Sequence, residues 1–297
     1  MPRSIILLLL SWYIITGCTD QEQPKEKEAE KPVVIEHDSV IIAYTNCGQQ
    51  DTTLLFVHGW CINKGYWEGQ SAFFCPLYKV VAIDLPGFGQ SGKNRGNWNF
   101  TNYTEDIKAV IEQLRLKNVI LIGHSMSGDI LLDVDNKYPN LLLGIIGIDN
   151  LHEPAGPLTE KEKFDYNAFY AMMLKEFDST VVKNMKGALF QPGTPPGVEN
   201  RVMNDVFACD SIIAVKVLQS NGDLAQTEKT LMKGLSHKLH LVNSDVFPIK
   251  ADSLSKYCNK GYKAELVHAT GHYPMLEKPE EFNAALQRVI DDIAKGN

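Results

Sequence analysis

The sequence predicts an α/β fold in which a mostly parallel sheet carries helices on both faces. Short runs such as TTLLFVHGW (52–60) and KVVAIDL (79–85) are largely apolar, which is typical of strands buried on both faces. Other segments place apolar residues on one helical face, as Ile107 and Ile111 do within 102–116. Because strands and helices alternate along the chain, the strands are expected to run parallel.

The remaining elements follow in chain order. Residues 33–45 predict an antiparallel hairpin with its turn near 37–39. Further buried strands are predicted at 118–122, 141–148, 238–242 and 263–268, and further helices at 126–138, 251–258 and 279–293.

A change of pattern marks a predicted helical insertion between about 152 and 235. Helical patterns recur at 164–177 and 205–218, and a break rich in proline and glycine, QPGTPPG, lies at 191–197. No strand of the buried type is predicted there. We therefore expect a helical cap over the carboxyl edge of the sheet, within one domain that spans 33–297.

Composition excludes some classes of function. The 297 residues carry a formal net charge of −7, and no cluster of Lys and Arg offsets it, which argues against nucleic-acid binding. No Cys-x-x-Cys or Cys/His spacing suggests a zinc site. We therefore expect neither a metal nor a cofactor.

The amino-terminal segment predicts export. A basic Arg3, an apolar run over 5–15 and small residues before Cys18 form the layout of a signal peptide, residues 1–17. The ITGC sequence that ends at Cys18 resembles a bacterial lipobox, in which the cysteine is lipidated. Residues 18–32 are charged and predict a disordered tether. We expect a lipoprotein of the bacterial cell envelope, periplasmic or surface-facing and anchored to the membrane by its lipid. A plain signal peptide or a short anchor is the alternative.

Five cysteines remain beyond Cys18, and an odd number in an exported protein leaves at least one unpaired. A helix that contains residues 66–67 and 72–74 is also predicted. The sequence does not fix the pairing, although Cys61 and Cys75 flank this helix and are candidates. Free thiols are expected for most of the five, which are Cys47, Cys61, Cys75, Cys209 and Cys258.

Ser125 lies at the centre of the most informative stretch, NVILIGHSMSG (118–128). The pattern predicts a strand, a tight turn of small residues and a helix, with Ser125 at the apex of the turn. Such a turn exposes the serine oxygen above the edge of a sheet and favours a nucleophile. The usual motif is G-x-S-x-G, and here Ser127 occupies the final position as a small-residue variant.

A serine nucleophile requires a base and an acid that orients the base. His272 follows the strand near 263–268 in a loop that contains glycine, and it is the candidate base. Asp245 follows the strand at 238–242 and is the first candidate acid. Asp149 follows the preceding sheet strand and remains the alternative.

Two backbone N–H groups are candidates for an oxyanion hole. The N–H of Met126 follows the nucleophile on the turn, and the N–H of Trp60 lies in the HGW sequence at the end of the neighbouring strand. Every candidate residue thus follows the carboxyl end of a predicted strand, where parallel sheets bind ligands.

These segments together resemble the α/β-hydrolase family, in its serine esterase branch. The family's oxyanion turn is similar to HGW (58–60), its glycine-rich loop to DLPGFGQSG (84–92) and its elbow to GHSMSG (123–128). Its acid segment is similar to the Asp of NSDVFP (243–248), and its histidine segment to GHYPMLEKPEEF (271–282). The resemblance spans about 33–293 and implies a sheet of eight mostly parallel strands with a helical cap. Family members that open epoxides or remove halides have aspartate at the elbow, so Ser125 argues against both activities.

The expected function is hydrolysis of carboxylic esters or lactones of small to medium apolar molecules, through an acyl-enzyme on Ser125. A slow-turnover receptor for small ligands and a hydrolase of carbon–carbon bonds are the alternatives. The sequence leaves the substrate and the oligomeric state open. Candidates for lining an acyl pocket in the cap are Phe164, Tyr166, Phe169, Tyr170 and Met172 or Met173.

Overall fold

A single sheet forms the centre of the fold. The computed structural model describes residues 33–184 and 186–296, so the predicted signal peptide (1–17), Cys18 and the tether (18–32) lie outside the described residues. The strands are β1 (Val33–His37), β2 (Val40–Cys47), β3 (Thr53–Val57), β4 (Lys79–Ile83), β5 (Val119–His124), β6 (Leu142–Ile148), β7 (Leu239–Ser244) and β8 (Tyr262–Val267).

The strand order is β1-β2-β4-β3-β5-β6-β7-β8. Strands β1 and β2 are antiparallel to their neighbours, and β3 to β8 are parallel. Every residue of β3 and β5 is buried, as their apolar sequences predict. The prediction of a mostly parallel eight-stranded sheet is therefore confirmed.

Helices cover both faces of the sheet and its carboxyl edge. Helices α4 to α9 all lie between β6 and β7, in the segment where the helical insertion is predicted. The helices of the described residues are α1 (Glu68–Phe74), α2 (Phe100–Gln113), α3 (Ser127–Lys137), α4 (Glu160–Lys175), α5 (Phe177–Asn184), α6 (Lys186–Leu189), α7 (Pro196–Ala208), α8 (Ser211–Ala225), α9 (Glu228–Gly234), α10 (Ala251–Tyr257), α11 (Pro274–Glu277) and α12 (Pro279–Lys295).

One disulfide crosslinks the sheet to a flanking helix. It joins Cys47, at the end of β2, to Cys75, directly after α1, with Cα atoms 5.6 Å apart. The candidate pairing of Cys61 with Cys75 is therefore wrong, because β2 runs antiparallel to β4 and brings Cys47 to the start of β4, just after Cys75. Cys61, Cys209 and Cys258 are free thiols.

Two kinds of feature are absent from the described residues. Over 33–184 and 186–296, no helix combines the length and the apolar character needed to cross a bilayer. In that same part of the chain, no group of three His, Cys, Asp or Glu side chains is arranged to hold a metal ion.

Candidate active site

Ser125 lies in a strained turn between β5 and α3. Its φ of +54° is in the left-handed region, which L residues other than glycine seldom adopt. The Ser125 N–H donates to the carbonyl of Ile148 at the end of β6 (3.0 Å), so the apex is tied to the neighbouring strand. The turn projects the hydroxyl beyond the carboxyl edge of the sheet, as the sequence predicts.

Asn150 holds the same turn from the adjacent strand end. Its Nδ2 donates to the carbonyls of Gly123 (2.9 Å) and Ser125 (3.1 Å). A Cβ on Gly128 would lie 2.7 Å from Cγ of Asn150, so this glycine allows the close approach. Sequence reasoning gave Asn150 no role, although its position as a polar residue directly after a buried strand was the available signal.

Ser127 accounts for the departure from the G-x-S-x-G motif. Its buried hydroxyl donates to the carbonyl of His58 at 2.6 Å and so links the start of α3 to the chain that follows β3. A glycine there would lack this hydrogen bond.

We expect Ser127→Ala to lower the free energy of unfolding by about 1–2 kcal/mol, because the buried His58 carbonyl then loses its partner. Urea unfolding monitored by circular dichroism measures the change. The matched control is Ser255→Ala, an exposed serine in α10, which should stay within about 0.5 kcal/mol of the wild type. Equal stabilities of the two variants would contradict this role of Ser127.

His272 connects Ser125 to a carboxylate. Its Nε2 lies 2.8 Å from Oγ of Ser125, and its Nδ1 lies 2.6 Å from Oδ2 of Asp149. A neutral ring with the proton on Nδ1 donates to the carboxylate and accepts from the serine hydroxyl, which is the arrangement that a general base needs. The His272 N–H donates to the carbonyl of Leu189 (3.0 Å), which ties the loop to the cap.

The expectation that Asp245 is the acid is corrected by this geometry. Asp245 accepts hydrogen bonds from Nδ1 of His268 (3.1 Å) and from the N–H of Ala269 (3.0 Å), and its side chain is 40% exposed. It thus holds the start of the loop that leads to His272 and does not contact the His272 ring. The alternative acid, Asp149, occupies the position next to the ring.

Asp149 is held as a buried carboxylate. Burial alone would raise the pKa of this group, but hydrogen bonding to His152 and His272, the charge of His272 and the N–H of Ser244 outweigh it, so the pKa lies well below its ordinary value. The Ser244 N–H donates to Oδ1 at 2.8 Å, and Nε2 of His152 lies 3.5 Å from the same oxygen. Asp149 therefore remains charged at neutral pH and can stabilise an imidazolium at His272.

Two further histidines form the frame of the site. Burial lowers the pKa of His124 to about 3, with the charge of His272 as the next cause, so His124 is neutral. Its Nε2–H donates to the His272 carbonyl at 2.8 Å. His58 accepts from the Leu85 N–H through Nε2 (2.9 Å) and donates from Nδ1 to the Gly59 carbonyl (2.7 Å). Both rings therefore fix backbone next to the predicted catalytic groups.

The two candidate oxyanion donors flank Ser125. Residues 58–63, which we call the oxyanion loop, pass so close to the turn that a Cβ on Gly59 would lie 3.0 Å from Cβ of Ser125. Within the described residues, the backbone N–H groups of Trp60 and Met126 donate to no protein acceptor. Both groups are thus available to an incoming oxygen, and the Trp60 indole is held separately by the carbonyl of Ala214 (2.8 Å).

Two neighbouring cavities lie at the cap, one within it and one between the cap and the carboxyl edge of the sheet. The smaller, of about 100 Å³, contains Ser125 and His272 together with Trp60 and Met126. The larger, of about 540 Å³, lies between α4 and α8. Because Leu218 and Asn221 line both, the larger cavity borders the space above Ser125.

A buried carboxyl pair supports the wall of these cavities. Asp129, in the first turn of α3, accepts from Nδ2 of Asn221 at 2.6 Å and lies against the buried Glu228 of α9. Burial, followed by the charge of Glu228, raises the pKa of Asp129 well above its ordinary value, and burial also raises the pKa of Glu228. The folded state thus favours a protonated carboxyl in this pair.

We expect the free energy of unfolding to fall as the pH rises above the ordinary aspartate pKa of 3.8 and through the raised pKa of Asp129 in the folded protein. The folded state binds this proton more tightly than the unfolded state, so each rise in pH over that interval favours unfolding. Asp129→Asn should flatten the fall, whereas Asp51→Asn at an exposed position should preserve it. Urea unfolding between about pH 4.5 and 8 measures both slopes, and parallel curves for wild type and Asp129→Asn would contradict the assignment.

The fold and the site together define a class of protein. They constitute the α/β-hydrolase fold with a Ser-His-Asp arrangement. The sheet is parallel, the serine lies at a strand-to-helix elbow, the histidine comes from the loop after the last strand, and the aspartate is buried. The sequence profile described as "alpha/beta hydrolase fold" matches residues 52–187. This match supports the resemblance drawn from the motifs.

Relatives with known names are similar over a shorter stretch. The non-heme chloroperoxidase of Burkholderia pyrrocinia is 36% identical over 99 residues, which cover 33% of this chain and 36% of that protein. The bifunctional esterase/perhydrolase DCH of Acinetobacter calcoaceticus is 32% identical over 105 residues, 35% of this chain and 38% of that protein. Each match spans little more than a third of the relative's length.

Solved structures agree over most of the chain. A thermophilic esterase from Thermogutta terrifontis superposes with a TM-score of 0.75 at 18% identity, over 89% of this chain and 99% of the other. At this identity the likeness establishes the fold. The prediction of an α/β-hydrolase fold is thus confirmed.

Proposed function

We propose that this protein is a serine hydrolase that cleaves carboxylic esters or lactones of small to medium apolar molecules through an acyl-enzyme on Ser125. The observation that carries the proposal is the continuous contact from Oγ of Ser125 through His272 to Asp149, at 2.8 and 2.6 Å. A serine–histidine–carboxylate chain of this kind makes the hydroxyl nucleophilic. The esterase named among the relatives supports the same class of reaction.

The mechanism follows from the geometry. His272 accepts the Ser125 proton at Nε2 as Oγ attacks the acyl carbon, and the charged Asp149 stabilises the imidazolium. The N–H groups of Trp60 and Met126 stabilise the oxyanion of the tetrahedral intermediate. His272 then protonates the leaving alcohol, and it activates a water molecule that hydrolyses the acyl-enzyme.

The larger cavity suggests where the substrate binds. Tyr166, Phe169 and Tyr170 line it, and Leu218 lies where it borders the catalytic cavity. Such a lining suits a substrate that is largely apolar and carries a few polar atoms, since Gln219 and Asn221 also line the cavity. Phe164 is 73% exposed on the outside of the cap, and neither Met172 nor Met173 lines the cavity, so three of the sequence candidates do not contribute.

A fluorophosphonate probe and p-nitrophenyl butyrate test the proposal together. We expect one adduct per chain, mapped by peptide mass spectrometry to Ser125, and loss of ester turnover in proportion to labelling. Labelling without steady turnover of p-nitrophenyl esters from acetate to octanoate would favour a receptor on the same fold. No labelling by the folded protein would contradict a serine hydrolase.

We also propose that the protein is an exported lipoprotein of the bacterial envelope, acylated on Cys18. The support is the basic, apolar and small-residue pattern that ends at Cys18. Metabolic labelling with an alkyne fatty acid should mark the wild type and Cys258→Ala but leave Cys18→Ala unmarked. Equal labelling of the Cys18→Ala chain would overturn the proposal.

A further inference from the structure

Two of the free thiols lie against each other where the cap meets the oxyanion loop. Sγ of Cys61 and Sγ of Cys209 are 2.9 Å apart, although 148 positions separate the residues in the chain. Non-bonded carbon atoms pack at about 3.5–4.0 Å, and sulfur is the larger atom, so this contact is closer than ordinary packing. A disulfide bond of about 2.05 Å needs an approach of less than about 1 Å.

We propose that Cys61 and Cys209 close a second disulfide, which fastens the cap to the oxyanion loop and fixes the position of the Trp60 N–H. Cys61 directly follows Trp60, with a φ of +56°. Cys209 follows the last residue of α7 and precedes α8. The bond would join the segment that carries the oxyanion donor to the joint between two cap helices.

A second contact also joins the oxyanion loop to the cap, and it shows why the proposed disulfide matters. The Trp60 indole donates to the carbonyl of Ala214 in α8, and α8 also supplies Leu218 and Asn221 to the catalytic cavity. Without the disulfide, this hydrogen bond and apolar packing hold the joint to the loop. With it, the loop and the cavity wall form one crosslinked unit.

The pair is oxidised by thiol–disulfide exchange with the disulfide of a small molecule or of another protein. The thiolate of the half-buried Cys209 attacks one oxidant sulfur and releases a first thiol, and Cys61 then attacks Sγ of Cys209 and releases the second. Two protons leave the cysteines, and the oxidant disulfide accepts two electrons. Both cysteines line a cavity of about 140 Å³ with Lys93 and Asn63, which gives the oxidant a route to Cys209.

The first test maps the bond chemically. Full-length protein equilibrated in oxidised glutathione is alkylated in denaturant, digested without reductant and analysed by mass spectrometry. We expect peptides containing Cys61 and Cys209 to be crosslinked, and Cys258 to be alkylated. A redox titration against glutathione mixtures should convert the pair fully and reversibly. Alkylation of both cysteines under the most oxidising mixture would overturn the proposal.

The second test measures the consequence with a matched control. Cys209→Ala should lower the Tm of the oxidised protein by roughly 5 °C or more, because a bond that closes a long loop is lost. In a Cys47→Ala/Cys75→Ala background, which removes the other disulfide, reduction of the protein should lower the Tm by a similar amount. Cys258→Ala retains Cys61 and Cys209 and is the matched control, so its Tm should rise on oxidation as that of the wild type does.

The expected effect on activity rests on the proposed function. A failure of the proposed function can be told apart from a failure of the disulfide proposal. We expect oxidised wild type to have a higher kcat for p-nitrophenyl butyrate than Cys209→Ala, by about 3-fold or more. If no ester is turned over, the crosslink and the Tm still test the disulfide. If the crosslink forms but Tm and kcat match those of Cys209→Ala, its role as a fastening of the cap is wrong.

Discussion

Replacing Asp149 by asparagine is expected to lower kcat for ester hydrolysis about 10⁴-fold, whereas Asp245→Asn should change it by less than about 3-fold. The reason lies in the two sets of contacts. Asp149 accepts from Nδ1 of His272 at 2.6 Å, and an amide there would no longer hold the ring in the tautomer that accepts from Ser125. Asp245 contacts His268 and Ala269 at an exposed position.

Steady-state kinetics with p-nitrophenyl butyrate measures both variants, and circular dichroism confirms that each is folded. Asp245→Asn is the matched control because it makes the same chemical change at the other carboxylate predicted at a strand end. A loss of about 10⁴-fold in Asp245→Asn, with Asp149→Asn near wild type, would reverse the assignment. Such a result would mean that the loop carrying His272 rearranges during catalysis.

The choice between these two aspartates shows where sequence reasoning stops. Both follow a strand of a parallel sheet, and the pattern along the chain does not give the order of strands across the sheet. In the structure β6 is hydrogen-bonded to β5, so Asp149 lies one strand from Ser125. Asp245 follows β7, which is one strand further away. Which aspartate contacts His272 therefore depends on the order of the strands across the sheet and on the turn at Asp149, where φ is +46°.

Elements with a strong periodic signal were predictable to within a few residues. The sequence predicts a strand at 118–122, and β5 lies at Val119–His124. It predicts the last helix at 279–293, and α12 lies at Pro279–Lys295. The apolar face of α12 and the continuous apolar run of β5 depend only on local sequence. The elbow at Ser125 was predictable for the same reason.

The cap was less predictable because its helices have weak patterns. The sequence predicts a helix at 164–177, whereas α4 lies at Glu160–Lys175. Its amino end is set by a capping box of Thr159 and Glu162. Its large side chains are divided between surface and interior, as exposed Phe164 and buried Tyr170 show. Which of them line a cavity depends on how α4 packs against α8, and that packing is a tertiary property.

Gly59→Ala is expected to lower kcat about 10²-fold or more through the oxyanion hole. A Cβ at this position would lie 2.7 Å from Nδ1 of His124 and 3.0 Å from Cβ of Ser125. Neither neighbour can withdraw easily, because the His124 ring is buried and bonded to the His272 carbonyl, and Ser125 is held in its turn. The oxyanion loop must therefore shift, and the Trp60 N–H moves away from the developing oxyanion.

The control for this substitution is Gly69→Ala in α1, where an added Cβ meets no atom within 4 Å and should leave kcat unchanged. Unfolding curves show whether each variant is folded at the assay temperature, so that lost activity is not mistaken for lost structure. Because the loop carries a donor that acts on the transition state, kcat should fall more than KM changes. A folded Gly59→Ala variant with kcat within about 3-fold of wild type would show that the Trp60 N–H is not an oxyanion donor.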